Sequence, residues 1–119
     1  MRATVLVVDD EPMVRAGTKR ILERKGFTVL EACNGAEALT VFGVHAASIG
    51  LVILDMGMPV MSGPECFTRL REITDVPVLV ATGYTSDSEA QIARGASLIE
   101  KPYASAELTR HVVGLLTHN

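Results

Sequence analysis

The chain has 119 residues, of which 48% are hydrophobic and only 4% aromatic, and its formal net charge is −3. This length suits one domain with an aliphatic core, so we expect residues 1–119 to form a single domain. The slight acidic balance, with no cluster of Lys and Arg, argues against direct binding of nucleic acid. The apolar runs are too short for membrane insertion. Two cysteines without CxxC or CxxH spacing are typical of reduced thiols, so we expect a cytoplasmic protein.

The first half of the chain alternates β-branched runs with helical patterns. Thr4–Val8 is the first predicted strand, and Pro12 suits the first position of the helix that follows. Gly26 is expected to end that helix. Residues 27–31 are the second predicted strand, and Asn34 begins a second helix with a capping signature.

The third predicted strand, residues 51–54, is an unbroken apolar run that leads directly into Asp55. Such a run is typical of a strand that is buried on both faces of a parallel sheet. Further strands are predicted at 76–81 and 97–100. Helices are predicted to start at Ser62 and Ser86, and a last amphipathic helix carries four apolar residues at helical spacing: Leu108, Val112, Leu115 and Leu116. The helix that starts at Ser86 has few large apolar residues, so we expect it to be the most weakly anchored.

Five strand–helix repeats predict an α/β fold, with a parallel sheet covered by helices on both faces. Polar residues follow the predicted strands: Asp9 and Asp10, then Asp55, Thr82 and Lys101. Because the carboxyl ends of parallel strands meet at one edge, we expect these side chains to cluster. Three neighbouring carboxylates repel one another and need a counter-charge. Mg²⁺ is the cation that best suits such oxygen ligands where a phosphate also binds.

A carboxylate in such a cluster can act as a nucleophile and form an aspartyl phosphate. Lys101 adds a positive charge and Thr82 a hydroxyl, which together with a metal would surround a phosphoryl group on Asp55. Simpler interpretations exist for each residue taken alone. Asp55 can cap a turn, and Asp9 or Asp10 can cap the first helix.

Several short segments at these strand ends form a recognisable set. They are LVVDDE at 6–11, LDMGMPVMSG at 54–63, Thr82-Gly83 and Lys101-Pro102. In this order they resemble the receiver domain of the two-component response regulators, similar to the chemotaxis response regulator. The resemblance covers essentially the whole chain. It implies a flavodoxin-like (βα)5 fold with the strand order 2-1-3-4-5.

The resemblance also implies roles for single residues. Asp55 would accept a phosphoryl group from a phosphohistidine, and Thr82 and Lys101 would bind the phosphoryl oxygens. The implied Mg²⁺ ligands are Asp9, Asp10, Asp55 and the backbone carbonyl of Gly57. The protein would then promote its own phosphorylation and dephosphorylation without being an enzyme in the usual sense. The inward turn of Lys101 directly before Pro102, together with the resemblance, predicts a cis peptide bond between them.

Three positions depart from the family pattern. Leu98 stands where the family usually has an aromatic switch residue, so we expect the response to rely on displaced loops and helices. Gly57 and Tyr84 occupy positions that tune dephosphorylation in the family. Tyr103 is expected to place an aromatic ring at the surface instead.

The implied partners are a sensor histidine kinase or a phosphotransfer domain, and a downstream protein that binds the face formed by the fourth helix, fifth strand and fifth helix. Parts of the sequence resemble the receivers of hybrid sensor histidine kinases. Two other function classes stay open: a degenerate receiver that only binds partners and a phosphohydrolase with an aspartyl nucleophile. A flavin-binding module on the same fold is less favoured than either. Gly57 argues against the phosphohydrolase, because the haloacid dehalogenases carry a second Asp at that position. The scarcity of aromatic residues argues against flavin.

Overall fold

The computed structural model describes residues 4–58, 60–83 and 96–117. These residues form strands β1 Thr4–Val8, β2 Thr28–Ala32, β3 Ile49–Asp55, β4 Val78–Thr82 and β5 Ser97–Glu100, and helices α1 Pro12–Arg24, α2 Gly35–His45, α3 Gly63–Ile73 and α4 Ser105–Thr117. Helix α4 is the one that the sequence predicts as the fifth. The helix predicted to start at Ser86, and Tyr84, lie outside the described residues.

The five strands form one parallel sheet in the order β2-β1-β3-β4-β5. This order confirms the predicted flavodoxin-like topology. It places β3 in the middle of the sheet, which explains why residues 51–54 are unbroken apolar positions and are almost fully buried.

Both faces of the sheet are packed, because successive side chains of a strand point to opposite sides. In β3, Val52 and Leu54 belong to a core cluster that also contains Phe42 of α2 and Leu70 of α3. Leu51 and Ile53 belong to a second cluster, together with Leu22 of α1 and Leu108 and Val112 of α4. Helices α2 and α3 therefore cover one face, and α1 and α4 cover the other.

Three predicted helix starts, at Pro12, Asn34 and Ser62, agree with the structure. Pro12 occupies the first turn of α1. Asn34 accepts a hydrogen bond from the Glu37 amide at 2.8 Å, and Ser62 accepts one from the Glu65 amide at 3.3 Å. These side chains satisfy amides that have no partner within the helix.

Strand boundaries differ from the sequence-based prediction by one or two residues. β4 begins at Val78 rather than at residue 76, because Pro77 has no N–H to donate to the sheet. The carbonyl of Pro77 still accepts a hydrogen bond from the Val52 amide at 3.1 Å. At its other end, β4 extends to Thr82 and so carries that residue directly to the sheet edge. No helix in the described ranges is both long enough and apolar enough to cross a bilayer.

Candidate functional site

Three carboxylates meet at the carboxyl edge of the sheet. Asp9 follows β1, Asp55 ends β3, and both are almost completely buried, whereas Asp10 is partly exposed. One oxygen from each of the three side chains lies within 4.8 Å of the other two. The sequence therefore predicted correctly that these acids converge, because they end neighbouring strands of one parallel sheet.

Lys101 completes this cluster from the other side. Its Nζ lies 2.9 Å from Asp9 Oδ2 and 3.2 Å from Asp55 Oδ1. The Lys101 amide donates a hydrogen bond to the carbonyl of Thr82 at 2.7 Å, which brings the ends of β4 and β5 together. Thr82 is itself buried at this edge. The Lys101-Pro102 peptide bond is cis, as predicted.

The loop after β3 holds the Asp55 carboxylate and the chain that follows it. The Gly57 amide lies 3.4 Å from Asp55 Oδ1, within reach of a weak hydrogen bond. The Met56 amide donates to the carbonyl of Ala81 at 3.2 Å, so the loop leaves the sheet beside β4. The backbone of Gly57 is thus close to the carboxylate of Asp55.

The protonation of this cluster reflects its burial. Burial raises the pKa of Asp55 above its ordinary value, and the neighbouring charge of Asp9 adds to this although Lys101 opposes it. For Lys101, burial alone would lower the pKa. The hydrogen bond to Asp9 and the negative charges of Asp55 and Asp9 outweigh burial and raise the pKa of Lys101. The ammonium group is therefore held in its charged form between two carboxylates.

The donor set suits a hard divalent cation. Three carboxylates offer only oxygen ligands, which Mg²⁺ prefers, and they face a site open to solvent on the side of Asp10. One carboxylate oxygen from each of the three residues lies within 4.8 Å of the other two, so Asp9, Asp10 and Asp55 would together hold such a cation. Water and phosphoryl oxygens would complete the coordination of such an ion.

The simpler interpretation of Asp9 and Asp10 as helix caps is not what the structure shows. The N-cap of α1 is Glu11, which makes no side-chain capping hydrogen bond. Asp9 Oδ1 instead accepts a hydrogen bond from the Glu11 amide at 2.9 Å, which stabilises the turn before the helix.

Two residues of α1 contact the site and were not identified from the sequence. Arg15 donates a hydrogen bond to the carbonyl of Asp9 at 2.8 Å. The Thr18 hydroxyl lies 2.6 Å from the Tyr103 hydroxyl. The expectation that Tyr103 is a surface aromatic is therefore wrong: its ring is partly buried and packs against the core on the α1 side of the sheet. No sequence signal pairs Thr18 with Tyr103.

Leu98 occupies the position where the predicted family usually has an aromatic. It lies in β5 opposite Val80 of β4 and packs, partly buried, against the core on the α2 and α3 side. An aliphatic side chain at this place cannot provide the rotation of an aromatic ring.

Comparison with known proteins agrees with this geometry. The family model described as "Response regulator receiver domain" matches residues 5–113. The chain is 34% identical to the sensor kinase CckA of Brucella abortus over 96% of its own length and 12% of that protein. It is 37% identical to the transcriptional regulatory protein YvrH of Bacillus subtilis over 92% of its own length and 47% of that protein. It thus spans less than half the length of either relative.

A solved structure gives the same result. The response regulator receiver domain protein from Clostridium thermocellum superimposes with a TM-score of 0.91 at 32% identity, covering 98% of this chain and 95% of that one. The family match, the strand order and the acidic cluster beside Lys101 are consistent with one another. The chain belongs to the response regulator receiver domains of two-component systems.

Proposed function

We propose that residues 1–119 are one receiver domain that takes a phosphoryl group onto Asp55 in a two-component phosphorelay. The observation that carries this proposal is the buried carboxylate of Asp55 at the end of the central strand, with Lys101 Nζ 3.2 Å away and two further acids beside it. A buried carboxylate next to an ammonium group and a set of metal ligands is suited to nucleophilic attack on phosphorus.

In the proposed transfer, an Asp55 oxygen forms a bond to phosphorus while the bond from phosphorus to the donor breaks. The donor is a phosphohistidine in the cell or acetyl phosphate in a test tube, and its imidazole or acetate leaves with the bonding electron pair. Lys101 and Thr82 bind the phosphoryl oxygens. Asp9, Asp10, Asp55 and the carbonyl of Gly57 would hold Mg²⁺, which when bound neutralises negative charge on the phosphoryl group.

The nucleophile must be ionised for this reaction. Burial works against ionisation of Asp55, and Lys101 offsets part of that effect because its positive charge favours the carboxylate form. The chain thus promotes phosphorylation and dephosphorylation of its own side chain and needs no separate substrate pocket.

The proposed phosphodonor is a sensor histidine kinase or a phosphotransfer domain, because relatives of this chain are named a sensor kinase and a transcriptional regulatory protein. The proposed downstream partner binds the face formed by β5, α4 and the helix predicted from Ser86. Its location is supported by Thr82, which ends β4, and by Lys101, which directly follows β5. We propose a cytoplasmic setting for this exchange.

Intact-protein mass spectrometry after incubation with Mg²⁺ and acetyl phosphate tests the assignment. The wild-type protein is expected to gain the mass of one phosphoryl group, and Asp55→Asn is expected to gain none because an amide is not a nucleophile here. Asp75→Asn, a change at an exposed acid away from the site, is the matched control and should gain the same mass as the wild type. A mass gain that persists in Asp55→Asn would refute Asp55 as the acceptor. No gain in the wild-type protein would favour the degenerate receiver.

A further inference from the structure

Arg15 connects helix α1 to the turn that carries the acidic pair. Its Nη1 donates a hydrogen bond to the carbonyl of Asp9 at 2.8 Å, and its Nε donates to Glu31 Oε1 of β2 at 3.2 Å. The side chain is only 20% exposed. The planar guanidinium group thus spans α1, the end of β1 and β2 with two hydrogen bonds at a fixed angle to each other.

These contacts determine the backbone at Asp9. Its amide donates to the carbonyl of Ala32 at 3.1 Å, and its carbonyl accepts from Arg15. With both peptide groups that flank Asp9 held by neighbouring elements, the direction in which the chain continues to Asp10 is also determined. Asp10 itself makes no hydrogen bond or ion pair with any other described residue, so the backbone alone places its carboxylate near Asp9 and Asp55.

We infer that Arg15 is a positioning residue for the divalent-metal site, acting through the Asp9 carbonyl on the Asp9–Asp10 turn. This inference depends on the proposed function, because it assumes that the acidic cluster binds Mg²⁺. Partners that orient the ligands of a metal affect its affinity even though they do not touch the ion.

A positioning role and a purely electrostatic role predict opposite changes in Mg²⁺ affinity when Arg15 is removed. Arg15 is a positive charge beside the turn that carries Asp9 and Asp10, so as a charge alone it weakens the binding of a cation there. Its removal would then strengthen Mg²⁺ binding. If Arg15 instead fixes the Asp9–Asp10 turn, it strengthens Mg²⁺ binding. Its removal would then let the Asp10 carboxylate move away from Asp9 and would weaken Mg²⁺ binding.

Isothermal titration calorimetry with MgCl₂ on purified variants separates these roles. Arg15→Gln and Arg15→Lys are both expected to weaken Mg²⁺ binding about 10-fold, the second because lysine keeps the charge without the fork of two donors. The matched control is Lys19→Gln. Lys19 Nζ lies 3.3 Å from Glu31 Oε2 and, among the described residues, pairs with Glu31 alone. This control removes a positive charge that pairs with Glu31, as Arg15 does. The Mg²⁺ affinity of Lys19→Gln should equal or slightly exceed that of the wild type.

A second measurement without metal shows whether the turn itself is released. In hydrogen exchange on the Mg²⁺-free protein, the amides of Asp9 and Glu11 should exchange faster in Arg15→Lys than in wild type, while amides within β3 keep their protection. If the Mg²⁺ affinity rises or stays unchanged in both Arg15 variants, the positioning role is overturned and the proposed function remains intact. A wild-type protein that binds no Mg²⁺ overturns the proposed function and this inference with it.

Discussion

At the scale of single residues, Gly63 determines how closely α3 approaches the end of β3, where Asp55 lies. A Cβ added at this position would lie 2.5 Å from Met56 Cα and 2.6 Å from the Asp55 carbonyl oxygen. The Gly63 amide donates to the Met56 carbonyl at 3.3 Å. Only a residue without a side chain lets the first turn of α3 pack directly on the backbone of the residue proposed to be phosphorylated.

We therefore expect Gly63→Ala to lower the free energy of unfolding by about 2–3 kcal/mol, in the range of overpacked cores, and to slow phosphorylation because Asp55 must shift. Urea unfolding measures the first effect and the acetyl phosphate reaction the second. Gly114→Ala is the control, since a Cβ there meets nothing within 4 Å. Because it lies inside α4, it should stabilise by up to about 1 kcal/mol. Equal stability of Gly63→Ala and wild type would contradict the packing argument.

At the scale of elements, a partly buried pair of hydroxyls connects α1 to the segment after β5. Thr18 is 2% exposed, and its Oγ1 lies 2.6 Å from the hydroxyl of Tyr103. Tyr103 follows Lys101-Pro102 directly, so the pair links the helix next to the acidic turn with the strand end that carries the ammonium group. Burial raises the pKa of Tyr103, and the hydrogen bond with Thr18 opposes that effect.

Thr18→Val and Tyr103→Phe should each destabilise the protein by about 1–2 kcal/mol, because each leaves the other hydroxyl buried without its partner. The double variant should cost less than the sum of the two single variants, and this difference in a double-mutant cycle measures the coupling. Thr109→Val, at a partly exposed position of α4 whose hydroxyl donates to the Ser105 carbonyl, is the control and should change stability little. Additive effects would show that the two hydroxyls do not act together.

At the scale of the whole molecule, the sequence predicted the sheet and the edge where the site lies, and it missed the side-chain contacts that support them. Repeated apolar runs separated by helix-start residues determine a parallel sheet. Residues at the carboxyl ends of its strands must then meet at one edge. For this reason the sequence alone predicts that Asp9, Asp55 and Lys101 lie close together. The Arg15–Asp9 and Thr18–Tyr103 contacts depend on how α1 is rotated against the sheet. That rotation results from the packing of the second core cluster as a whole, which periodicity does not specify.

The site also makes the stability of the whole fold depend on pH. The carboxylates of Asp9 and Asp55 share the ammonium group of Lys101. Because the pKa of Lys101 is raised in the folded state, its contribution to stability is complete below the unfolded value of about 10.5 and disappears as the pH rises through the folded value. Because the pKa of Asp55 is also raised, the folded carboxyl holds its proton more tightly than the unfolded one. This group therefore lowers stability as the pH rises above 3.8.

Lys101→Met tests this linkage in Mg²⁺-free buffer. At neutral pH it should lower the free energy of unfolding by about 2 kcal/mol, less than breaking a fully buried pair, because the Lys101 side chain is 17% exposed. Without the ammonium group, the pKa of Asp55 rises further, because the charge of Lys101 lowers it in the wild-type protein. The variant should therefore regain stability relative to wild type as the pH falls from neutral towards 3.8, and it should lack the loss that wild type shows as the pH rises above about 10.5. Added Mg²⁺ should restore part of the lost stability, because a cation that binds only the folded state stabilises it. If the free energies of unfolding of the two proteins changed in parallel from pH 5 to pH 11, the ion pairs of Lys101 with Asp9 and Asp55 would not contribute to stability.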